Sequence, residues 1–387
     1  MKRVSLTFFV VLMLLTTLVG LAPQSVSVAS AQSPVPSPTP EPPLIIGMEY
    51  ISPVAIPWSA AHLAGYGWAL MDIFGPSYLV VPDGDGFKVV DRGGKEVVRT
   101  VFWTATKPDD FSPTTSDRVA EDLIRQGAKL IFNTAENWCQ SLYENVAPKH
   151  PDVNFMCIRG PVGPNFGSMY PRSWEGFYVA CAAAASIVDE PNLGMLGAYE
   201  TNPQVASNHG ACARGFADSW AENHTSTPKI STVYIDNWAN MPDETVGAES
   251  LAAAGARVVA VHQDSTAAAS ALAGADPRVW VVGYDSNWAN FTKPNGHILT
   301  SVTLDWTDAY SRAIRMTLDK NFVGFKWNPG LKEGVVKLAP FSPEAPPIAQ
   351  LTADRYTQRI INEKYPCGRP DNMWAMDSWK TCYNYKQ

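Results

Sequence analysis

Two short apolar runs between Arg257 and Asn290 restrict this chain more than any other feature. Val258-Val259-Ala260-Val261 stops on His262-Gln263-Asp264-Ser265, and Val279-Trp280-Val281-Val282 stops on Gly283-Tyr284-Asp285-Ser286-Asn287-Trp288. Neither run alternates and both are rich in β-branched residues, the pattern of a strand buried on both faces of a parallel sheet. Between them, Thr266 to Gly274 is alanine-rich and long enough for a crossover helix. The stretch reads as a βαβ unit. In open α/β sheets ligands occupy the crevice beyond the carboxyl ends of the strands, and Asp264 and Asp285 fall at that edge. Two carboxylates there point to a polar small molecule, although an aspartate followed by serine is equally sound capping chemistry for the next helix.

The rest of the chain arranges itself around that unit. Leu44 to Gly47 reads as a first strand, opening through Ser52 to Ser59 into a helix that ends near Phe74. The turns Asp83-Gly84-Asp85-Gly86 and Arg92-Gly93-Gly94, flanked by valine-rich runs, suggest an inserted β-hairpin. Helix Thr114 to Gln126, strand Lys129 to Phe132, a strand-end loop Asn133 to Trp138 and strand Val153 to Ile158 follow. The glycines and prolines of Arg159 to Asn165 read as a first crossing between two lobes. Helices at Trp174 to Val188, Gln204 to Glu222 and Asp243 to Ala254 then alternate with strands at Leu193 to Ala198 and Ile230 to Ile235. Leu299 to Thr303 reads as a strand returning to the first lobe, with Trp306 to Asp319 its helix. The expectation is an α/β protein of two Rossmann-like lobes. The first comprises residues 44–164 and 305–325, the second 165–304 and 326–365, and a tail runs over 366–387.

Lys2-Arg3, the apolar stretch Val4 to Leu21 and Ala29-Ser30-Ala31 make an export signal over residues 1–31, and the proline-rich stretch 32–43 a tether. Cleavage would remove two positive charges, taking the net charge from −7 to −9. An acidic exported chain is a poor partner for nucleic acid or anionic membranes. Export would place it in the periplasm or outside the cell, and an uncleaved signal would tether it to the cell surface. All six cysteines follow the signal, where disulfides can form. By neighbourhood they pair as Cys139 with Cys157, Cys181 with Cys212, and Cys367 with Cys382, although Cys181 would equally suit a buried free thiol. No zinc spacing, phosphate loop or nucleophile elbow is found along the sequence, so neither metal nor cofactor is expected.

Several runs resemble the basic membrane protein family, which includes the purine nucleoside receptors of bacterial ABC importers. They are Phe166-Gly167-Ser168-Met169-Tyr170, Trp174-Glu175-Gly176, Asn237-Trp238, His262-Gln263-Asp264-Ser265, Gly283-Tyr284-Asp285-Ser286, Leu299-Thr300-Ser301-Val302, and Gly330-Leu331-Lys332-Glu333-Gly334 continuing to Phe341. The resemblance implies a type I periplasmic-binding-protein fold with a multi-crossing hinge, a monomer that binds without turnover, and an ABC permease as partner. It also implies a purine nucleobase or nucleoside as ligand, stacked between aromatic rings, with an acidic residue at the position of Asp285 binding ribose. The nucleoside receptors carry a lysine where Leu304 stands here, and no lipobox precedes this domain. Asp305-Trp306 and the Gly-Leu-Lys-Glu-Gly run look more like the branch associated with free bases such as adenine.

A purine needs aromatic plates on its two faces and carboxylates or amides at its edge. Trp58 and Phe166 are the expected plates, Trp238 and Trp306 further walls, and Asn133, Glu136, Asp264 and Asp285 the edge readers. Any one of these rings, like Trp138 and Trp288, could instead be lobe packing. Glu175 reads equally as a helix brace, Lys332 as a partner for a nearby acid, and His262 as a core histidine. Two other readings use the same cleft: a nucleoside or glycoside hydrolase with Asp264 and Asp285 as its acid pair, and a sensor ectodomain.

Overall fold

The computed structural model describes residues 42–362. The export signal, most of the tether and the Cys367–Cys382 pair lie outside them. The first lobe starts with β1 (Leu44–Tyr50) and α1 (Pro57–Phe74). A meander of β2 (Tyr78–Asp83), β3 (Gly86–Asp91) and β4 (Glu96–Thr104) follows, the first two pairs antiparallel and β4 parallel to β1. Helix α2 (Pro113–Arg125), β5 (Leu130–Asn133), α3 (Glu136–Ser141), β6 (Asn154–Ile158) and β7 (Phe166–Met169) complete the first passage through this lobe.

The second lobe runs α4 (Ser173–Ala185), β8 (Asn192–Gly197), α5 (Pro203–Trp220), β9 (Lys229–Tyr234), α6 (Met241–Ala253), β10 (Val258–His262), α7 (Ala267–Leu272), β11 (Trp280–Asp285) and β12 (Ile298–Leu304). The chain returns to the first lobe for α8 (Thr307–Leu318) and β13 (Lys326–Trp327), then crosses again for β14 (Val336–Leu338) and α9 (Ile348–Ile361). Among the described residues, no helix is long and apolar enough to cross a membrane.

The two sheets share one design. The first has the order β13-β7-β6-β5-β1-β4-β3-β2 and the second β14-β12-β11-β10-β8-β9. In each, the first parallel strand of the lobe lies between its second and third, so the strand order reverses direction at β1/β5 and at β8/β10. Such switch points leave a crevice at the strands' carboxyl ends. The βαβ unit of residues 257–290 stands as expected, with β10 and β11 parallel and every residue of both strands buried.

Two expected boundaries move. Phe166–Met169 pairs in parallel with β6, and Lys326–Trp327 with β7, so both belong to the first sheet rather than the second lobe. The glycine- and proline-rich stretch after β6 is a return loop inside the first lobe, and the crossing comes after Met169. Turn residues mark a change of direction but carry no information about which sheet the next strand joins. Likewise β12 lies in the second sheet, beside β11, and the chain changes lobe only after Leu304.

Helix α4 is buried at every position. Its alanines and its one glycine admit close neighbours: Val302 and Val336 press on Gly176, and Gly215 of α5 lies so near the Tyr178 carbonyl that a Cβ there would sit 1.9 Å from its oxygen. A disulfide between Cys181 and Cys212 staples the same two helices, and a second joins Cys139 to Cys157 in the first lobe. One apolar cluster runs from Ile46 and Tyr66 in the first lobe, through Trp58, Trp306 and Tyr284, to Phe177 and Val282 in the second. The cleft between the lobes is therefore lined with rings.

Candidate functional site

Both switch points open onto this cleft. On the first lobe, β1 ends in Glu49 and Tyr50, and the following loop leads into α1, whose second residue is Trp58. The indole N–H of Trp58 donates to the Thr134 carbonyl at 3.0 Å, beyond the end of β5. Its ring meets His62 edge-on at 4.8 Å and Trp306 edge-on at 5.6 Å. His62 stacks on Trp306 at 4.1 Å and its Nδ1 lies 2.9 Å from the Tyr310 hydroxyl. Burial pushes the His62 imidazole down to about 3, so it is neutral. His62 Nε2, Trp306 Nε1 and the Tyr50 hydroxyl are buried without hydrogen-bond partners. Buried polar groups are almost always satisfied, so the unpartnered His62 and Trp306 nitrogens of one ring stack make this the candidate site.

On the second lobe the ends of β10 and β11 supply the opposing wall. Both amide atoms of the fully buried Gln263 lack partners. The Asp264 backbone N–H donates to the Trp238 carbonyl at 2.9 Å, and Ser265 donates to Glu244 at 2.8 Å. Burial, reinforced by the Glu244 carboxylate, raises the Asp264 carboxyl to about 8. Asp285 has a φ of 64°, a left-handed conformation that aspartate tolerates better than most residues. Its carboxyl is buried with no partner beyond the adjoining Ser286 and is pushed far above the usual range by burial and then by Asp264.

The lobes touch across the cleft. Tyr284 stacks opposite Trp58 with ring centroids 6.3 Å apart and planes 26° from parallel. Ser286 Oγ donates to the Pro57 carbonyl at 2.9 Å, and the Tyr170 and Tyr284 hydroxyls are 2.7 Å apart. Asn202 Nδ2 reaches Glu136 at 3.4 Å, while Glu136 is also ion-paired with Arg159. This is a closed arrangement.

The expected residues divide. Trp58, Trp306, Asp264 and Asp285 converge on the cleft, and Trp238 stands half-buried at its side, 5.8 Å from the His262 ring. Glu136 sits at the rim, bridging the lobes. Phe166 does not face the cleft: it is wholly buried in the first lobe, stacked on Phe155 at 5.7 Å and edge-on to Tyr143. Asn133 is used internally, its Oδ1 accepting from the Ala135 N–H and its Nδ2 donating to Glu49 at 2.8 Å. Trp138 and Trp288 are lobe core, with indole N–H groups on the Phe111 and Tyr284 carbonyls. Glu175 braces a crossing, paired with Arg172 and accepting from the Leu331 N–H. Sequence reasoning missed His62, Gln263 and Tyr284 as wall residues. For Gln263 and Tyr284 a signal existed, since both flank the aspartates at the strand ends.

A family model for PnrA-like ABC transporter substrate-binding proteins matches residues 100–368. The chain belongs to that family. A purine-binding protein of Brucella abortus (strain 2308) is 26% identical to this PnrA-like chain over 228 residues, 59% of this chain. The match spans 62% of that protein's length. An ABC transporter solute-binding protein from Aeropyrum pernix K1 superposes with a TM-score of 0.65 at 17% identity, covering 88% of this chain and 98% of that one. One from Conexibacter woesei gives 0.61 at 14% identity, covering 86% and 100%. Both likenesses establish the periplasmic-binding-protein fold for this PnrA-like chain.

Proposed function

We propose that this protein captures a purine-type solute in the cleft between its lobes, outside the cytoplasm, and delivers it to an ABC permease without turning it over. The observation that carries this reading is the Trp58–Tyr284 pair. A planar ring sandwiched between two others needs about 7 Å, twice a van der Waals contact of about 3.5 Å, and the closed cleft holds these rings 6.3 Å apart. A small opening admits one heteroaromatic ring. Around it stand unpartnered donors and acceptors, at Trp306, Gln263 and Asp285, which suit the mixed edge of a purine. The relative named for purine binding supports the same ligand class.

A free base is favoured over its nucleoside. Leu304, standing where the resemblance places a sugar-binding lysine, is buried and paired with Val336 in the second sheet. Calorimetric titration of protein unfolded and refolded to strip carried-over ligand tests the reading, using adenine, guanine, adenosine and guanosine. Tight binding of a base with weak binding of its nucleoside is expected. Tighter nucleoside binding would overturn the base preference, and silence from all four would overturn the purine assignment.

A further inference from the structure

The sequence presents His262 as a core histidine, yet its Nε2 is buried and has no partner. The other ring nitrogen is tightly specified. On the crossing between the lobes, the Tyr170 hydroxyl is 3.0 Å from Ser173 Oγ, and Ser173 donates to Asn208 Oδ1 at 2.9 Å. With its oxygen so used, Asn208 turns its Nδ2 toward His262 Nδ1 at 3.0 Å. In this orientation the amide nitrogen donates and Nδ1 accepts. A neutral imidazole that accepts at Nδ1 carries its proton on Nε2. Burial, with His209 and Arg159 nearby, holds the ring neutral by lowering its affinity for a second proton.

The imidazole also stands in the right place. It closes β10 at the switch point of the second sheet, between the Tyr284 ring at 4.3 Å and the Trp238 ring at 5.8 Å. We propose that His262 determines ligand specificity by presenting Nε2–H as a fixed donor to a ring nitrogen of the bound base, with Asn208 and Ser173 as positioning residues that hold the tautomer. The assignment rests on the purine reading above. It gives the site a polarity: an acceptor on the ligand must face His262, while hydrogen-bond donors suit Asp264 and Asp285.

Two measurements on the full chain test it. Long-range proton–nitrogen correlation on histidine-labelled protein should show His262 with Nδ1 bare and Nε2 protonated. Asn208→Ala and Ser173→Ala should each let the two nitrogen shifts move toward averaged values. A proton on Nδ1 in the unsubstituted protein overturns the proposal. Titration with adenine and its 1-, 3- and 7-deaza analogues, each lacking one ring acceptor, should find one analogue at least about tenfold weaker, the cost of leaving one buried donor unmet. That penalty should vanish in His262→Phe and persist in part in His262→Gln, whose amide can donate from a similar position. Equal binding of all four compounds, or an undiminished penalty in His262→Phe, removes His262 from the site while leaving the purine reading intact. If adenine and all the analogues fail to bind, the purine reading and this assignment fall together.

Discussion

Trp58, in the first turn of α1, and Tyr284, near the end of β11, face each other across the cleft with ring centroids 6.3 Å apart. They are separated by more than two hundred residues in the chain, and no local pattern links them. Removing one plate should weaken ligand binding far more than it weakens the fold. Trp58→Ala is expected to reduce affinity for a bound base by about thirtyfold or more, in line with truncation of a central aromatic anchor. Trp58→Phe, which keeps a ring but loses the bond to Thr134, should cost less. Equal losses in the two variants would mean that the ring is not a plate.

Closure should depend on contacts that span the lobes. Ser286 Oγ donates to the Pro57 carbonyl, a bond that exists only when the lobes are together. Ser286→Ala removes about 1 kcal/mol from the closed state, which lowers affinity about fivefold where closure is required for binding. Small-angle scattering of the unliganded variant should report a larger mean radius than the parent chain. An unchanged radius and affinity would show that this bond does not hold the lobes.

The empty protein should lose stability as pH rises. The carboxyls of Glu49 and Asp264 are raised to about 8 and that of Glu244 to about 7, chiefly by burial. Each has a folded pKa above its unfolded value, so its contribution is whole below about pH 4 and is lost as pH climbs through 7 and 8. The buried, neutral His62 and His209 act in the opposite sense only below the ordinary histidine value of 6.5, so thermal melts of ligand-free protein should shift downward between about pH 7 and pH 9. Asp264→Asn should have a shallower profile than the parent. A flat profile over this range would mean that these carboxyls are already ionised in the folded state.

The α4–α5 contact should tolerate no added atom on its inner face. Gly215→Ala would place a Cβ against the Tyr178 carbonyl, forcing the helices apart at a cost of about 1–3 kcal/mol. Removing the Cys181–Cys212 disulfide, which closes a separation of 31 residues between the same helices, should cost about 3–4 kcal/mol by loop entropy. Denaturant unfolding without reductant, which keeps Cys139–Cys157 closed, measures both effects, on Gly215→Ala and on a Cys181→Ala/Cys212→Ala variant. A Gly215→Ala variant as stable as the parent would show that α5 can shift freely.

The strand–helix alternation, the βαβ unit of residues 257–290 and the pairing of the cysteines within each lobe were legible in the sequence. Burial on both faces of a strand, helix length and chain neighbourhood are local quantities. Asp264 and Asp285 could be placed at the rim because an apolar run that stops on a polar residue marks a strand end. Phe166, expected as a plate, shows where local information stops: its role depends on which sheet β7 joins and which face the ring takes. Asn133 likewise resembled an edge reader until Glu49, from the adjacent strand β1, occupied its amide.

The sequence by itself determined the longer elements, their order and the polar ends of the strands, because each rests on interactions within a few residues; the short strands β7, β13 and β14 were not legible. Only the tertiary structure decided the partners. Tyr284 became a wall because α1 of the other lobe brings Trp58 to it. His262 ceased to be an ordinary core histidine because Asn208, on α5, occupies one ring nitrogen and nothing occupies the other. Whether a buried polar atom is satisfied depends on atoms supplied by distant segments, and that is settled only when the two lobes have folded and met.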